Sequence, residues 1–368
     1  MDTTASDPAD PGTRQYDLGA LSGAARAPLP ARPALLDLDR GALAAFLGDE
    51  PRFRTDQVWN AINTKGQSPD QISSIPLRLR SRLAEEFPPA LTPVTEQRSG
   101  DGRTTKWLFE LNGGAQVETV LMRYRDRATV CVSSQAGCAM ACSFCATGQA
   151  GFERHLTVAE ILEQVHRAKD AASPQRLSNI VFMGMGEPLA NLERLFTAIE
   201  RITTDIGIGS RKITVSTVGL VPAMERFADA NGQVGLAVSL HAANDDLRSE
   251  LVPLNRRYPI NELIQACQMV RDKTGRRVSF EWAMIGGVND RDRDANELIG
   301  LARKADAHVN LIPLNSTPGY PTTGSSPQQV KHFAGVLRRA GVNVTIRSTM
   351  GDDIDAACGQ LANRGATT

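Results

Sequence analysis

Residues 179–202 read NIVFMGMGEPLANLERLFTAIERI. The first seven form an apolar, β-branched run of strand length. A glycine-bearing turn follows, and then Leu192, Leu195, Phe196 and Ile199 recur at helical spacing. This is a strand–turn–helix unit, and the rest of the chain repeats it. KITVSTVG (212–219), GLAVSLHA (235–242), RVSFEWAMI (277–285), HVNLIPL (308–314) and NVTIRST (343–349) read as strands. Amphipathic stretches such as INELIQACQMV (260–270) and QQVKHFAGVLR (328–338) lie between many of them. Such alternation predicts an α/β fold with a parallel sheet under covering helices, either open or curled into a full or partial barrel. Its active site belongs where the strands end.

Upstream, TKWLFEL (105–111), QVETVLM (116–122) and ATVCVSS (128–134) read as further strands. Before them LDRGALAAFLGDE (38–50), FRTDQVWNAIN (53–63) and PLRLRSRLAEEF (76–87) carry apolar residues at helical spacing. The expected organisation is a disordered tail at 1–33, rich in proline and alanine, then a helical accessory domain at 34–92. A β extension follows at 93–123, a core at 124–350 and a C-terminal segment at 351–368. The chain has 368 residues, 41% hydrophobic and 22% charged, with a net charge of zero. That composition excludes collagen, coiled coil and wholesale disorder. No apolar run reaches the length of a membrane span, and no secretory signal opens the chain, so a soluble cytoplasmic protein is expected. A nucleic-acid partner would be held by local basic patches, such as the arginines at 52, 54, 78, 80 and 82. A solvated helix face accounts for those arginines equally well.

Three of the six cysteines crowd into CAMACSFC, as Cys138, Cys142 and Cys145. Clustered thiols in a cytosolic chain point to metal or redox chemistry. Structural zinc would want a fourth ligand, and His155, ten residues past Cys145, is poorly spaced for it. Three cysteines on a four-iron cluster leave one iron open to substrate. The cluster is the favoured reading.

CxxxCxxC with Phe144 before its last cysteine resembles the signature of the radical S-adenosylmethionine enzymes. Together with ETV, CVSSQAGC, FCATG, MGMGEPLAN, SLHAAND and GDDIDAACGQL, it resembles the RlmN/Cfr group of RNA adenine methyltransferases over about residues 36–362. Arg154-His155-Leu156 departs from a more usual Arg-Asn-Leu. The resemblance implies a partial (βα)6 barrel and a [4Fe–4S] cluster on Cys138, Cys142 and Cys145, with the open iron chelated by S-adenosylmethionine. Electron transfer into that sulfonium yields a 5′-deoxyadenosyl radical. It also implies a pocket for S-adenosylmethionine formed by Gly186, Glu187, Ser216, Ser239, Leu240, His241 and Asn315. Gly184 joins Gly186 in allowing close backbone approach.

The same resemblance implies a double use of S-adenosylmethionine. One molecule methylates the Cys358 thiolate; a second supplies the radical that makes this methyl group a methylene radical, which adds to the adenine. Glu118 is then expected to accept the adenine proton, and Cys131 to release product through a transient disulfide with Cys358. Such a route suits carbon 2 of adenine, which is too electron-poor for ordinary methyl transfer. The implied product is 2-methyladenosine at position 2503 of 23S rRNA and at position 37 of a subset of tRNAs. Partners would be 23S rRNA, tRNA and an electron donor such as flavodoxin or ferredoxin, with the enzyme a monomer. Three rivals stand beside it: C8 methylation of the same adenosine, a non-catalytic zinc-stabilised RNA-binding protein, and a radical enzyme acting on protein or a small molecule. Read without the resemblance, Cys131 and Cys358 are core residues, and Glu118 alternates as a solvent-facing strand residue. Cys267 stays in the core under either reading.

Overall fold

The structure, a computed structural model, describes residues 29–30, 32–230, 232–315, 323–347, 350–357 and 359–361. Most of the tail expected at 1–33 therefore lies outside the described residues, and so does Cys358.

Helices α1 (Arg40–Phe46), α2 (Phe53–Trp59) and α3 (Leu77–Glu86) come first. Asp39 caps α1 by accepting from the Ala42 amide at 2.7 Å. Short helices of this length cannot stand alone. They close a small core of their own around Leu43, Val58, Ile72, Leu79 and Leu83. The arginines named above divide in two: Arg78 stays solvent-exposed, whereas Arg82 donates to the Phe46 carbonyl and lies over the Phe46 ring.

Strands β1 (Leu91–Arg98), β2 (Thr104–Leu111) and β3 (Gln116–Arg123) form an antiparallel meander, and β3 pairs antiparallel with β4 (Ala128–Cys131). β1 holds Pro93 at an irregularity in its register, which only an edge strand tolerates. A hairpin of β5 (Gln135–Gly137) and β6 (Phe152–His155) encloses the cysteine cluster and α4 (Ala146–Ala150). The alternation follows: α5 (Val158–Ala172), β7 (Leu177–Phe182), α6 (Leu192–Arg201), β8 (Ile213–Thr217), α7 (Val221–Ala230) and β9 (Gly235–Ser239). Then come α8 (Asp245–Leu251), α9 (Ile260–Thr274), β10 (Ser279–Met284), α10 (Asp292–Ala305), β11 (His308–Pro313), α11 (Pro327–Arg339) and β12 (Val344–Ile346).

From β4 through β7, β8, β9, β10 and β11 to the three-residue β12, every pairing is parallel. The strand order runs from β1 at one edge to β12 at the other without closing. Yet Val120 on β3 and Cys131 on β4 line the same cavity as Thr345 and Ile346 on β12. A flat sheet of this width could not bring them together, so it curls into an incomplete barrel. The α/β expectation and its parallel sheet are borne out, and the short β12 makes a seventh parallel strand where the resemblance implied a six-stranded barrel. Among the described residues no helix is long and apolar enough to cross a membrane.

Candidate active site

One cleft opens over the carboxyl ends of β7 to β10, on the side where strand-end loops converge. Cys138, Cys142 and Cys145 line it, together with Gly184, Gly186, Glu187, Ser216, Ser239 and His241. The loop carrying the thiols is pinned at both ends. Cys138 N donates to Gly151 O at 2.8 Å, and Ser143 N to the carbonyl of Leu251, the last residue of α8, at 3.1 Å. Burial pushes the Cys138 thiol up to about 12 and holds Cys142 well above its usual range. Thiols so placed give up their protons only to a positive partner. A buried cation stands ready: Arg248, on α8, makes no ion pair with a carboxylate among the described residues and lowers Cys142 by its charge. Its donors go instead to Leu240 O (3.1 Å), Val218 O (2.7 Å), Ser239 O (3.3 Å) and Asn255 Oδ1 (2.8 Å). It thus clamps the ends of β8 and β9, from which Ser216, Ser239 and His241 project. Among the described residues no three of His, Cys, Asp and Glu converge as they would on a single metal ion. Three cysteine sulfurs lining one cleft are the donor type that an iron–sulfur group takes.

The glycine turn after β7 is fixed by contact rather than by propensity. A Cβ on Gly184 would lie 2.8 Å from the Val132 carbonyl carbon and oxygen. Gly186 has φ +104°, and a Cβ there would sit 2.6 Å from the Gln135 side chain. Gln135 in turn accepts the Glu187 amide at 2.8 Å. Glu187 accepts from Leu189 N at 3.0 Å and from Val218 N at 2.9 Å, and among the described residues no cation pairs with it. Burial raises its carboxyl to about 7. A buried carboxylate with amide donors but no counter-ion is complementary to an ammonium group.

His241 takes a left-handed backbone (φ +59°), unusual for a side chain with a Cβ. The fold maintains it because Nδ1 accepts the Ala283 amide at 3.0 Å and the ring stacks edge-on against Phe144 at 4.8 Å. Burial, followed by the charge of Arg248, drops its pKa to about 3, so the ring is neutral. Leu240 does not line the cleft: its side chain is fully buried in the core, and only its backbone reaches the strand-end network.

A second cavity, of about 490 Å³, adjoins the first and shares Met183 and Ile312 with it. Cys131 and Asn315 lie here, with Ala356 and Ala357 of the C-terminal segment. The contributing strand ends are thus split between two spaces, and β10 adds Glu281 to the cleft, a residue that no motif in the sequence singles out.

Glu118 is not solvent-facing. Both faces of β3 are covered, and its carboxylate is buried with Lys106 Nζ at 3.1 Å. The register places it on the same face as Val120 and Met122, which line the second cavity. Lys106 also donates to Asp355 O at 3.2 Å, joining Glu118 to the C-terminal segment. The Cys131–Cys358 pairing falls outside the described residues because Cys358 does. Its neighbours are held against the cysteine loop: Ala146 N donates to Gly359 O at 2.8 Å and Thr147 Oγ1 to Leu361 O at 2.6 Å. Cys267 is fully buried on α9, away from both cavities.

Residues 132–299 match the Radical SAM superfamily. A curated relative from Salinispora tropica, described as a probable dual-specificity RNA methyltransferase RlmN, is 50% identical over 92% of this chain and 95% of its own length. One of the same description from Thermobifida fusca is 49% identical over 93% of this chain and 97% of its own. Among solved structures, a radical SAM methyltransferase from Sphaerobacter thermophilus superposes with a TM-score of 0.87 at 48% identity, covering 90% of this chain and all of that one.

Proposed function

The chain belongs to the RlmN family of radical S-adenosylmethionine RNA methyltransferases, and from that premise we propose that it methylates carbon 2 of adenosine 2503 in 23S rRNA and of adenosine 37 in a subset of tRNAs. Its class is that of an S-adenosylmethionine-dependent RNA methyltransferase. The observation that carries the finer reading is the adjacency of the two cavities. The three thiols and Glu187 share one, and Cys131 shares the next with the segment on either side of Cys358.

In this reading Cys138, Cys142 and Cys145 hold a [4Fe–4S] cluster, and Glu187 takes the ammonium of S-adenosylmethionine. Gly186 lets the methionyl group approach the backbone, while Ser216, Ser239, the Leu240 backbone and His241 shape the remainder of the cleft. Bound there, cluster and S-adenosylmethionine supply the radical that carbon 2 requires. Cys358 accepts the methyl group from S-adenosylmethionine and carries it to the base. Glu118 accepts the C2 proton, and Lys106, 3.1 Å away, holds its carboxylate in place for that task. Cys131 attacks the Cys358 sulfur to free the product. Asn315, in the second cavity, contributes at the border between cofactor and base. A single-stranded or looped adenosine suits such a recess, and the exposed face of α3 around Arg78 is suited to gripping the RNA fold beyond it. The electron donor is a flavodoxin or ferredoxin, and the setting is the cytoplasm.

Anaerobically reconstituted protein given S-adenosylmethionine with a CD3 methyl group, reductant and unmodified 23S rRNA tests this reading. The expected product is 2-methyladenosine retaining two deuteriums. Labelled 8-methyladenosine would assign the C8 chemistry instead. S-adenosylmethionine cleavage without any methylated adenosine would overturn the RNA assignment.

A further inference from the structure

Glu281 projects from β10 into the barrel interior, where it lines the cleft opposite Glu187 and is 3% exposed. Its register partners are Ser239 on β9 and Asn310 on β11, so three polar side chains share one row. One carboxylate oxygen is fully engaged. Oε1 accepts Asn310 Nδ2 at 2.8 Å and Ser279 Oγ at 3.1 Å, and Arg347 approaches it at 3.5 Å. The other oxygen, Oε2, is buried without a partner among the described residues. A buried, unpartnered carboxylate oxygen is costly, and native structures keep such a group where something supplies the missing donor. Three groups lock the side chain from behind, so the open oxygen is held in place.

Resting on the radical S-adenosylmethionine reading above, we infer that Glu281 is a cofactor-binding residue whose Oε2 accepts from the ribose hydroxyls of S-adenosylmethionine. The assignment follows from charge and position. Glu187, near the thiols, supplies the carboxylate for the ammonium of the methionyl group. Glu281 stands three strands further on, beside Ser239 in the same cleft, within a row of polar side chains suited to a nucleoside. A carboxylate oxygen with two lone pairs is a natural acceptor for sugar hydroxyls. Ser216 Oγ and Ser239 Oγ, 3.4 Å apart, continue the same polar row. A purely structural glutamate would serve Asn310, Ser279 and Arg347 equally well, yet it would have no reason to leave an oxygen unpaired in the wall of the cleft.

Equilibrium dialysis on the anaerobically reconstituted holoenzyme tests this, using S-adenosylhomocysteine and its analogue lacking both ribose hydroxyls, with iron content measured in parallel. Glu281→Gln keeps the side chain's shape and its contact to Asn310 while replacing the free acceptor with a donor. The expected result is about a tenfold loss of affinity for S-adenosylhomocysteine, as for one hydrogen bond to a charged group. The hydroxyl-free analogue should bind wild type and variant equally, because its loss is already taken. Equal weakening of both ligands would assign Glu281 a structural role and overturn the inference, as would unchanged affinity for S-adenosylhomocysteine. Should the variant fail to fold, wild-type protein still decides: an analogue bound as tightly as the parent overturns the inference, and one bound tenfold more weakly supports it. Holoenzyme with its iron but no affinity for either ligand would overturn the enzyme reading itself.

Discussion

Glu118 and Lys106 are buried together on adjacent strands, with side-chain exposures of 1% and 7%. Removing one partner of such a pair strands the other charge in the interior. Lys106→Met should therefore cost about 3–5 kcal/mol of stability, measured by urea titration. Adding Glu118→Gln should recover much of that loss, since an amide needs no counter-ion. In the single variant, S-adenosylmethionine cleavage should outlast RNA methylation, because in the proposed function only the second uses Glu118. The sequence hid this pair. In QVETV the alternation of Gln116 and Glu118 with apolar residues looks like a strand with one wet face. The wet face is covered by chain more than two hundred residues downstream, and no local pattern reports that. Cys138, Cys142 and Cys145 were legible because three thiols crowd into eight residues, whereas Glu281 is a lone acidic residue in an apolar run. Only the register of β9, β10 and β11 gives it meaning.

Among elements, those whose apolar periodicity is strong were all legible: β2, β3, β4 and the parallel strands from β7 to β12 coincide with the runs read from the sequence. β1 was not picked out as a strand, because Pro93 interrupts it and one edge of the strand has no ladder to complete. The β5–β6 hairpin escaped notice because each strand is only three or four residues long. Its function is nonetheless large, since Gln135 on β5 buttresses the glycine turn. Gly186→Ala would place a methyl group 2.6 Å from Gln135 at a positive φ. The turn must then shift, and with it the Glu187 amide that Gln135 holds. We expect a loss of S-adenosylmethionine affinity of more than tenfold with the cluster ligands untouched, read by equilibrium dialysis beside iron content. Native-like affinity would mean that the turn adapts and that its glycine is dispensable.

For the molecule as a whole, two joints matter: that of the helical unit with the barrel, and that of buried charge with solvent pH. Arg201, on α6, donates to Leu36 O and Leu38 O at 2.6 Å each and lies 4.9 Å over the Trp59 ring. Arg201→Ala should loosen this joint by about 2–3 kcal/mol. Hydrogen exchange should accelerate across residues 40–86 and leave the barrel strands protected; uniform acceleration would show that the two units unfold as one. The pH response has a defined sign. Burial lowers His155 and His166 to about 4 and His241 to about 3, from 6.5. Between pH 6 and 5 the unfolded chain binds three protons that the native chain refuses. Glu187, raised from 4.5 to about 7, opposes this, because the native chain binds one that the unfolded chain does not. The net uptake on unfolding is about two protons, so stability should fall with falling pH by about 2.7 kcal/mol per unit in this window. A flat urea midpoint from pH 6 to 5 would refute the neutral-histidine account.

The hydrogen bonds from Ala146 and Thr147 to Gly359 and Leu361 fasten the end of the chain to the residues immediately after Cys145. Whatever orders the cysteine loop therefore also shields the C-terminal segment, and whatever loosens the loop exposes it. A protease should sense this. Metal-depleted protein should be trimmed at its C-terminus well before the barrel is cut, and iron-loaded protein should resist. Trimming would remove the thiol expected to carry the methyl group, so a chain that loses its iron and meets a peptidase would be disarmed irreversibly, long before it unfolds.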